Sequence, residues 1–268
     1  MFRLTRQVRF AVNDAADAQL AGKPTNAYAG FPSLTGLGHY FELEVSLVAP
    51  LDVGSQYVRN IVEVDGVVRR LAVPHVERNV RGRTFGGGAG VVRELFDSLR
   101  GAWPGATLAG LKLNLSPFLS LAIDPADQHT EEARVVRLSQ MFEFSASHRL
   151  HNPALGDDAN RATFGKCNNP LGHGHNYQVR VTLAGEPDAG GVLVPVPAFE
   201  RTVAEAVIDR FDHKHLNAEV PEFREVIPSV ENIAMVAYRL LKPRFTGNAR
   251  LASVTVWETP KTWCEYSE

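Results

Sequence analysis

The sequence predicts an α+β protein made of two similar halves, and two observations support this prediction. The second half reads as strand, strand, helix, helix, strand, strand, and the first half follows the same order. The stretch "GLGHYFELEVSL" (36–47) also lies over "GHGHNYQVRVTL" (172–183) without a gap. An internal repeat of this kind indicates a duplicated unit. Two unrelated α+β domains are the alternative interpretation.

The strands of the second half are marked by alternating apolar residues. "VVRLSQMFEFSASHRL" (135–150) places Phe142, Phe144 and Ala146 on one face,. "NYQVRVTLAG" (176–185) alternates in the same way. "LASVTVWETP" (251–260) and "TWCEY" (262–266) are predicted to close as a hairpin around Pro260 and Lys261,.

Two helices are predicted between these strand pairs. "AFERTVAEAVIDRF" (198–211) has apolar residues at steps of four, which form one stripe of a helix: Phe199, Val203, Val207 and Phe211,. "SVENIAMVAYRLL" (229–241) is the second helix, and Ser229 is a suitable N-cap because its hydroxyl can accept a bond from the first turn,.

The first half offers a counterpart for most of these elements. Residues 8–14 lie over 142–148, residues 90–99 take the place of the second helix, and residues 111–117 lie over 254–260. A polar segment at 124–134 reads as a linker,. The sequence therefore predicts one domain over 1–128 and a second over 135–268, with the boundary near residue 130.

Composition excludes several classes of function. The formal net charge is −2, which gives no electrostatic case for binding nucleic acid or an anionic membrane,. No apolar run approaches the roughly 20 residues that span a bilayer, and the start of the chain lacks the features of a signal peptide,. Two cysteines make no disulfide framework, so a cytoplasmic location is expected,.

Three histidines form a candidate metal site. His173 and His175 are two apart at the start of a predicted strand, so their side chains point to the same face,. His148 ends the preceding strand, and antiparallel pairing would bring it alongside. Three imidazoles with one open position form the catalytic zinc arrangement. An H-x-H pair in a polar loop with no metal is the alternative.

The motifs "FSASHRLHNP", "FGKCNNPLGHGHNY", "DHKHLN", "SVENIA" and "VWETP", in this order and spacing, resemble the 6-pyruvoyltetrahydropterin synthase family. That family includes the bacterial 6-carboxytetrahydropterin synthases of queuosine biosynthesis. The resemblance covers residues 140–268. It implies the tunnelling fold, in which a four-stranded antiparallel sheet carries two helices on one face and several such units assemble into a barrel.

The resemblance also implies roles for individual residues. His148, His173 and His175 would be the zinc ligands, and Cys167 would be the catalytic proton acceptor. Asp212 and His213 would complete a proton relay with Cys167. Glu258 would anchor the pterin ring, and Glu231 matches another position near the pocket. In this family, neighbouring subunits supply parts of one active site.

The reaction implied is the conversion of 7,8-dihydroneopterin triphosphate, a small pterin substrate, with release of triphosphate. The spacing from Cys167 to His173 resembles that of the pyruvoyl-forming members. It therefore favours 6-pyruvoyltetrahydropterin as the product of a zinc-dependent carbon–oxygen lyase. The alternatives are 6-carboxytetrahydropterin synthase and a non-catalytic zinc-containing scaffold that binds a pterin or a purine.

The first half lacks most of these residues. The repeat places Asp14 opposite His148, Leu37 opposite His173, His39 opposite His175 and Leu115 opposite Glu258. The first domain is therefore predicted to be a degenerate, catalytically inactive copy. Single-domain members of the family resemble two stacked rings of three units, so a two-domain chain is expected to form a homotrimer with pseudo-hexameric architecture. A dimer is the alternative.

Overall fold

The computed structural model describes residues 1–14, 28–82, 87–125 and 135–268. Its contacts divide the chain into two units. The first contains Met1–Leu138 and Ala184–Val194, and the second contains Ser139–Leu183 and Pro195–Glu268. Most of the predicted linker at 124–134, with the predicted boundary near residue 130, lies outside the described residues.

The first unit contains four antiparallel strands. Its strands are neighbours in chain order: β1 (Phe2–Val12), β2 (His39–Ala49), β3 (Thr107–Asn114) and β4 (Leu119–Ile123). Alternate residues along β2 are buried, as expected for a strand with one face on a core,. The strand predicted at residues 8–14 begins earlier, at Phe2, because all of β1 pairs with β2.

Two helices complete the first unit. Helix α1 (Ile61–Gly82) contacts β1, and helix α2 (Gly88–Leu99) contacts β3 and β4. The helix predicted at 90–99 is confirmed as α2. The sequence assigned no residues to α1, which carries Pro74 inside it. Proline normally ends a helical pattern because it has no N–H to donate, so this helix is hard to recognise from sequence.

The second unit contains the strands that carry the candidate site. Strands β5 (Val136–His148) and β6 (His173–Gly185) are neighbours, followed by β8 (Ala249–Thr259) and β9 (Thr262–Tyr266). A two-residue strand, β7 (Lys214–His215), pairs in parallel with β5. The predicted hairpin is confirmed, since β8 and β9 pair antiparallel. The predicted alternation is also confirmed: Tyr177, Val179, Val181 and Leu183 are all fully buried.

The helical segments of the second unit include both predicted helices. They are α3 (Asp157–Phe164), α4 (Val196–Val203), α5 (Asp209–Phe211), α6 (Leu216–Glu219) and α7 (Val230–Leu241). A π-helical turn at Ala204–Ile208 joins α4 to α5. The predicted stripe of Phe199, Val203, Val207 and Phe211 is completely buried. In the described part of the chain, no helix combines the length and apolar character needed to cross a membrane.

Candidate metal and catalytic site

The strand period brings three histidines together in the second unit. His148 is the last residue of β5, while His173 and His175 are the first and third residues of β6. His148 is completely buried, and His173 and His175 are half-buried. Their ring centroids lie 4.5 to 5.2 Å apart.

A carboxylate lies beside the three histidines. The Oε1 atom of Glu258, at the end of β8, lies 3.3 Å from Nε2 of His148 and 3.5 Å from Nε2 of His175. One ligand atom from each of the four side chains lies within 4.8 Å of the other three. The family resemblance predicts Glu258 only as a pterin anchor and does not predict its approach to the histidines.

The donor atoms fit a tetrahedral metal ion such as zinc. Ligands about 2.0–2.1 Å from zinc lie about 3.4 Å from one another in tetrahedral geometry, and Nε2 of His148 is 3.1 Å from Nε2 of His173. Nδ1 of His148 lies 2.6 Å from the Pro228 carbonyl oxygen, to which it can only donate,. Its Nε2 lone pair is therefore free for a metal, as in many metal sites where a second contact sets the tautomer.

Burial favours the neutral form of the two half-buried histidines, His173 and His175. It lowers the pKa of His173 and of His175, and His148 lowers both further while Glu258 opposes the shift. Contact with the His148 side chain is the main cause of the lowered pKa of Glu258. These shifts favour neutral His173 and His175 beside an ionised Glu258, which is the state in which such side chains bind metals,.

Cys167 lies in a short 3₁₀ turn, Gly165–Asn168, and is half-buried. The main chain around it is fixed to the segment that follows His148. Leu150 N donates to the Cys167 carbonyl oxygen at 2.9 Å, and the buried Asn168 side chain donates to the Leu150 carbonyl oxygen at 2.8 Å. The turn that carries the thiol is therefore tied to the strand that carries His148.

Tyr177 follows His175 by two residues and points to the same side of β6. Its ring stacks on Phe144 at 4.9 Å and lies 5.5 Å from the His175 ring. The side chain is fully buried, and its hydroxyl has no hydrogen-bond partner among the described residues. Burial, then Glu258 and then Cys167, raise the pKa of this phenol. From the sequence pattern, Tyr177 is predicted only as a core residue of the strand.

Asp212 and His213 form a pair beside β5. Nδ1 of His213 is 2.7 Å from Oδ2 of Asp212. Ser145 N donates to Asp212 at 2.8 Å, and this bond is the main cause of the lowered pKa of Asp212. His213 N donates to the Ser145 carbonyl oxygen from a left-handed backbone conformation, with φ of 57°.

The His213 side chain is 84% exposed and lines a cavity of 540 Å³ together with His175, Lys214 and His215. Among the described residues, no hydrogen bond or ion pair joins Cys167 to either member of the Asp212–His213 pair. The structure thus brings the pair to the edge of β5 but does not connect it to the thiol.

Glu231 is placed apart from the metal group. It is an exposed residue in the first turn of α7. Its charge acts on Cys264 of β9, whose pKa is raised mainly by burial and further by Glu231. Among the described residues, no hydrogen bond or ion pair joins Glu231 to the three histidines.

The first unit contains no counterpart to the metal group in its described residues. Leu37 is 93% exposed, and His39 is exposed and stacks on Phe41 at 6.3 Å. The group formed by His148, His173, His175 and Glu258 is the one metal-ligating cluster found within the described ranges.

Comparison with known proteins identifies the second half. The family model for 6-pyruvoyl tetrahydropterin synthase matches residues 137–268. Human 6-pyruvoyl tetrahydrobiopterin synthase is 41% identical over 124 residues, which are 46% of this chain and 85% of the relative. The 6-carboxy-5,6,7,8-tetrahydropterin synthase of Haemophilus influenzae is 25% identical over 153 residues, covering 49% of this chain and 99% of the relative.

A solved structure of the Caenorhabditis elegans 6-pyruvoyl tetrahydropterin synthase aligns with 37% identity and a TM-score of 0.48, over 50% of this chain and 96% of that chain. The family model falls on the half that carries the histidines, Cys167 and Glu258, and the human relative is matched over 85% of its length. Through this half, the chain belongs to the 6-pyruvoyl tetrahydropterin synthase family.

Proposed function

We propose that this protein is a zinc-dependent lyase that converts 7,8-dihydroneopterin triphosphate to 6-pyruvoyltetrahydropterin and releases triphosphate. The observation that carries the proposal is the convergence of three imidazoles and a carboxylate at one point of a chain that belongs to a pterin synthase family. Zinc held there would supply Lewis acidity to the hydroxylated side chain of the pterin.

Cys167 is the proposed proton acceptor for a carbon-bound proton of that side chain. Removal of this proton allows triphosphate to leave by elimination, and tautomerisation then produces the diketone. Asp212 holds the His213 ring through Nδ1, which leaves Nε2 free to exchange protons with the substrate or solvent,. In the family, residues of one active site come from neighbouring subunits, which is consistent with the lack of a hydrogen bond between His213 and Cys167 among the described residues.

Glu258 is the proposed acceptor for the amino-pyrimidine edge of the pterin. A carboxylate can accept two hydrogen bonds from such an edge. Its position 3.3 Å from the His148 ring supports a binding mode in which the pterin ring lies beside the metal. Glu231 is proposed as a further contact at the pocket.

The two halves are proposed to be tandem tunnelling-fold domains, over 1–128 and 135–268, that assemble into a barrel. The first has lost its site and provides sheet surface. The similar make-up of the two units supports this proposal, since each contributes four main strands with helices packed on them.

Product analysis tests the proposed reaction. The metal-loaded protein is incubated with 7,8-dihydroneopterin triphosphate, and the pterin product is identified by mass spectrometry with and without a reductase that traps the diketone. We expect the mass of 6-pyruvoyltetrahydropterin and one equivalent of triphosphate. The mass of 6-carboxytetrahydropterin would assign the chain to the carboxy-forming branch, and unchanged substrate would support a binding scaffold.

A further inference from the structure

The chain leaves the sheet directly after His148, the last residue of β5. Residues 149–152 have no regular secondary structure, so their main-chain N–H and C=O groups need partners other than a neighbouring strand or a helical turn,. Side-chain amides of other segments supply several of these partners. They come from Asn160, Asn168 and Asn217. The position of the main chain after this candidate ligand therefore depends on three asparagines.

Asn217 makes the contact nearest to His148. Arg149 N donates to Oδ1 of Asn217 at 2.8 Å, and Nδ2 of Asn217 donates to the Arg149 carbonyl oxygen at 3.0 Å. One amide thus satisfies both main-chain groups of one residue, as the facing residue of an antiparallel strand would. The Arg149 N–H lies in the same peptide plane as the His148 carbonyl, so this pair of bonds also fixes the main chain of His148.

Asn217 follows the segment that carries the Asp212–His213 pair. Residues 212–215 lie along residues 145–147 of β5. The contacts join them in order: Ser145 pairs with Asp212 and His213, Ala146 with Lys214, and Ser147 with His215. The Asn217 contact to Arg149 continues this row past the end of the strand. His148 and His213 are therefore held by one row of contacts, with Asn217 at the end that adjoins His148.

The Arg149 side chain reaches the turn that carries the thiol. Its Nε donates to the Asn168 carbonyl oxygen at 3.2 Å, and Asn168 directly follows Cys167. Arg149 is thus joined covalently to His148, by its side chain to the Cys167 turn, and by its main chain to Asn217. A shift of the main chain at this residue would reach both the candidate ligand and the thiol turn.

We propose that Asn217 is a positioning residue: by holding the main chain of Arg149, its amide fixes His148 as a metal ligand. The same contact keeps the Cys167 turn and His213 in register with that ligand. The inference rests on the metal-binding role of the histidines in the proposed function. Asn217 acts through Arg149, since it forms no hydrogen bond or ion pair with the metal group among the described residues. A carboxamide suits this role because its donor and its acceptor are both used.

The test is Asn217→Ala in the full-length protein, with Asn160→Ala as a matched control. Asn160 makes the same paired contact to Asn152, at 2.7 Å from Asn152 N to its Oδ1 and 2.9 Å from its Nδ2 to the Asn152 carbonyl oxygen. That contact lies four residues after His148 instead of one. Cobalt(II) is titrated into the metal-free proteins, because its visible absorption depends on the geometry of its ligands. Competition with a chelator measures its affinity.

We expect Asn217→Ala to bind cobalt about ten-fold more weakly, which is the usual cost of removing a group that orients a metal ligand, and to change the visible absorption. Asn160→Ala should keep the wild-type affinity and absorption. Its melting temperature should nevertheless fall at least as far as that of Asn217→Ala, because Asn160 is fully buried,. A merely structural role would lower both melting temperatures and leave the absorption unchanged. That result, or equal changes of absorption in the two variants, would overturn the proposal.

Asn217→Asp covers the case in which the alanine variant does not fold. It keeps the oxygen that accepts from Arg149 N and loses only the donor, so we expect a fall in cobalt affinity of about three-fold with the same change of absorption. Wild-type values in this variant would overturn the proposal.

The titration uses no substrate, so its outcome stands even if product analysis disproves the proposed reaction. A wild-type protein that binds no cobalt would overturn the metal site and this proposal together. A wild-type protein that binds cobalt, beside an unchanged Asn217→Ala, would overturn this proposal alone.

Discussion

The three histidines of the metal group differ in how firmly the surrounding protein holds their rings: His148, His173 and His175. His148 is completely buried, and the Pro228 carbonyl oxygen holds its Nδ1 at 2.6 Å. His173 has a buried Nδ1 without a partner, and His175 has a buried Nε2 without one, among the described residues. A bound metal would satisfy the His175 nitrogen directly, so the site gains a favourable contact on loading.

We expect His173→Ala to lose the metal. Two imidazoles and one carboxylate hold a divalent ion less tightly than the full set, so affinity should fall by at least about ten- to a hundred-fold. Metal analysis of the purified variant measures this. His39→Ala, at the aligned exposed histidine of the first unit, is the control and should retain full occupancy. Full occupancy in His173→Ala would mean that the ligand set is wrong.

We expect Cys167→Ala to keep its metal and its fold but to lose turnover by about 10²–10⁴-fold, which is the usual contribution of a general base. The half-buried thiol makes no hydrogen bond to a described residue, so its removal should cost little stability. Steady-state kinetics and thermal unfolding measure the two effects. Cys264→Ala removes the other cysteine and should remain active; equal activity of both variants would contradict the assigned role.

Most of the metal group could be predicted from the strand period, because residues two apart share a face and His148 ends the neighbouring strand. The approach of Glu258 could not, since it depends on β8 lying next to β6. The unpartnered hydroxyl of Tyr177 was also beyond prediction, because a missing partner is a property of the packed core. Local periodicity predicts the face of the strand on which a side chain lies, but it does not predict which residues of other elements that side chain contacts.

At the scale of elements, the helix predicted at residues 198–211 contains a π-helical turn, Ala204–Ile208. The apolar stripe is still buried along its length, so the pattern predicted the buried face correctly. It could not predict the π turn, because one inserted residue shifts the hydrogen bonds while leaving the apolar spacing recognisable. Turns of this kind are frequent near functional sites, and this one ends one residue before α5, which leads into Asp212.

The N-terminus of α7 links stability to the metal group. Ser229 caps the helix by accepting a bond from Asn232 N, and the preceding Pro228 holds His148. We expect Ser229→Ala to lower the free energy of unfolding by about 1 kcal/mol and to weaken metal binding as well. Urea titrations of metal-free and metal-loaded protein measure both. Ser229→Thr, which keeps a capping oxygen, should behave nearly as the wild type; a matching loss in that control would show that the cap is not the cause.

Asp212, in the turn before β7, should stabilise the folded protein by an amount that is lost at low pH. The folded-state pKa of Asp212 lies below its usual value of 3.8, mainly because Ser145 N donates to the carboxylate. The ionised carboxylate therefore stabilises the folded protein above the unfolded pKa, and this contribution disappears as the pH falls through the folded-state pKa. Asp212→Asn should melt below the wild type at pH 6, with the difference closing below about pH 4.

Melting curves of metal-free protein at several pH values measure this difference without interference from metal loss. Asp209→Asn, at an exposed carboxylate three residues earlier, is the control and should show no such dependence. A gap between wild type and Asp212→Asn that stays constant down to pH 3 would show that the carboxylate charge is not responsible.

At the scale of the whole molecule, the presence of metal ligands in only the second half, among the described residues, predicts how many metal ions each chain binds. We expect a homotrimer of 29.4 kDa chains with one metal ion per chain, because closing sheets into a ring removes exposed edges and the first half lacks the ligands. Light scattering combined with metal analysis measures both quantities. Two metal ions per chain would contradict the degenerate first copy, and a stable monomer would contradict the ring.

The segment Ala184–Val194 belongs to the first unit although it lies far along the chain. This affects where the chain can be divided to express the first unit alone. Gly90 N donates to the Gly191 carbonyl oxygen at 3.0 Å, and a methyl group at Gly87 would lie 2.7 Å from the Val192 Cα. A fragment ending near residue 130 lacks the segment that covers the start of α2. A truncated first half would therefore expose that helix end. If such a fragment proved insoluble, that result alone would not bear on the pterin chemistry of the intact chain.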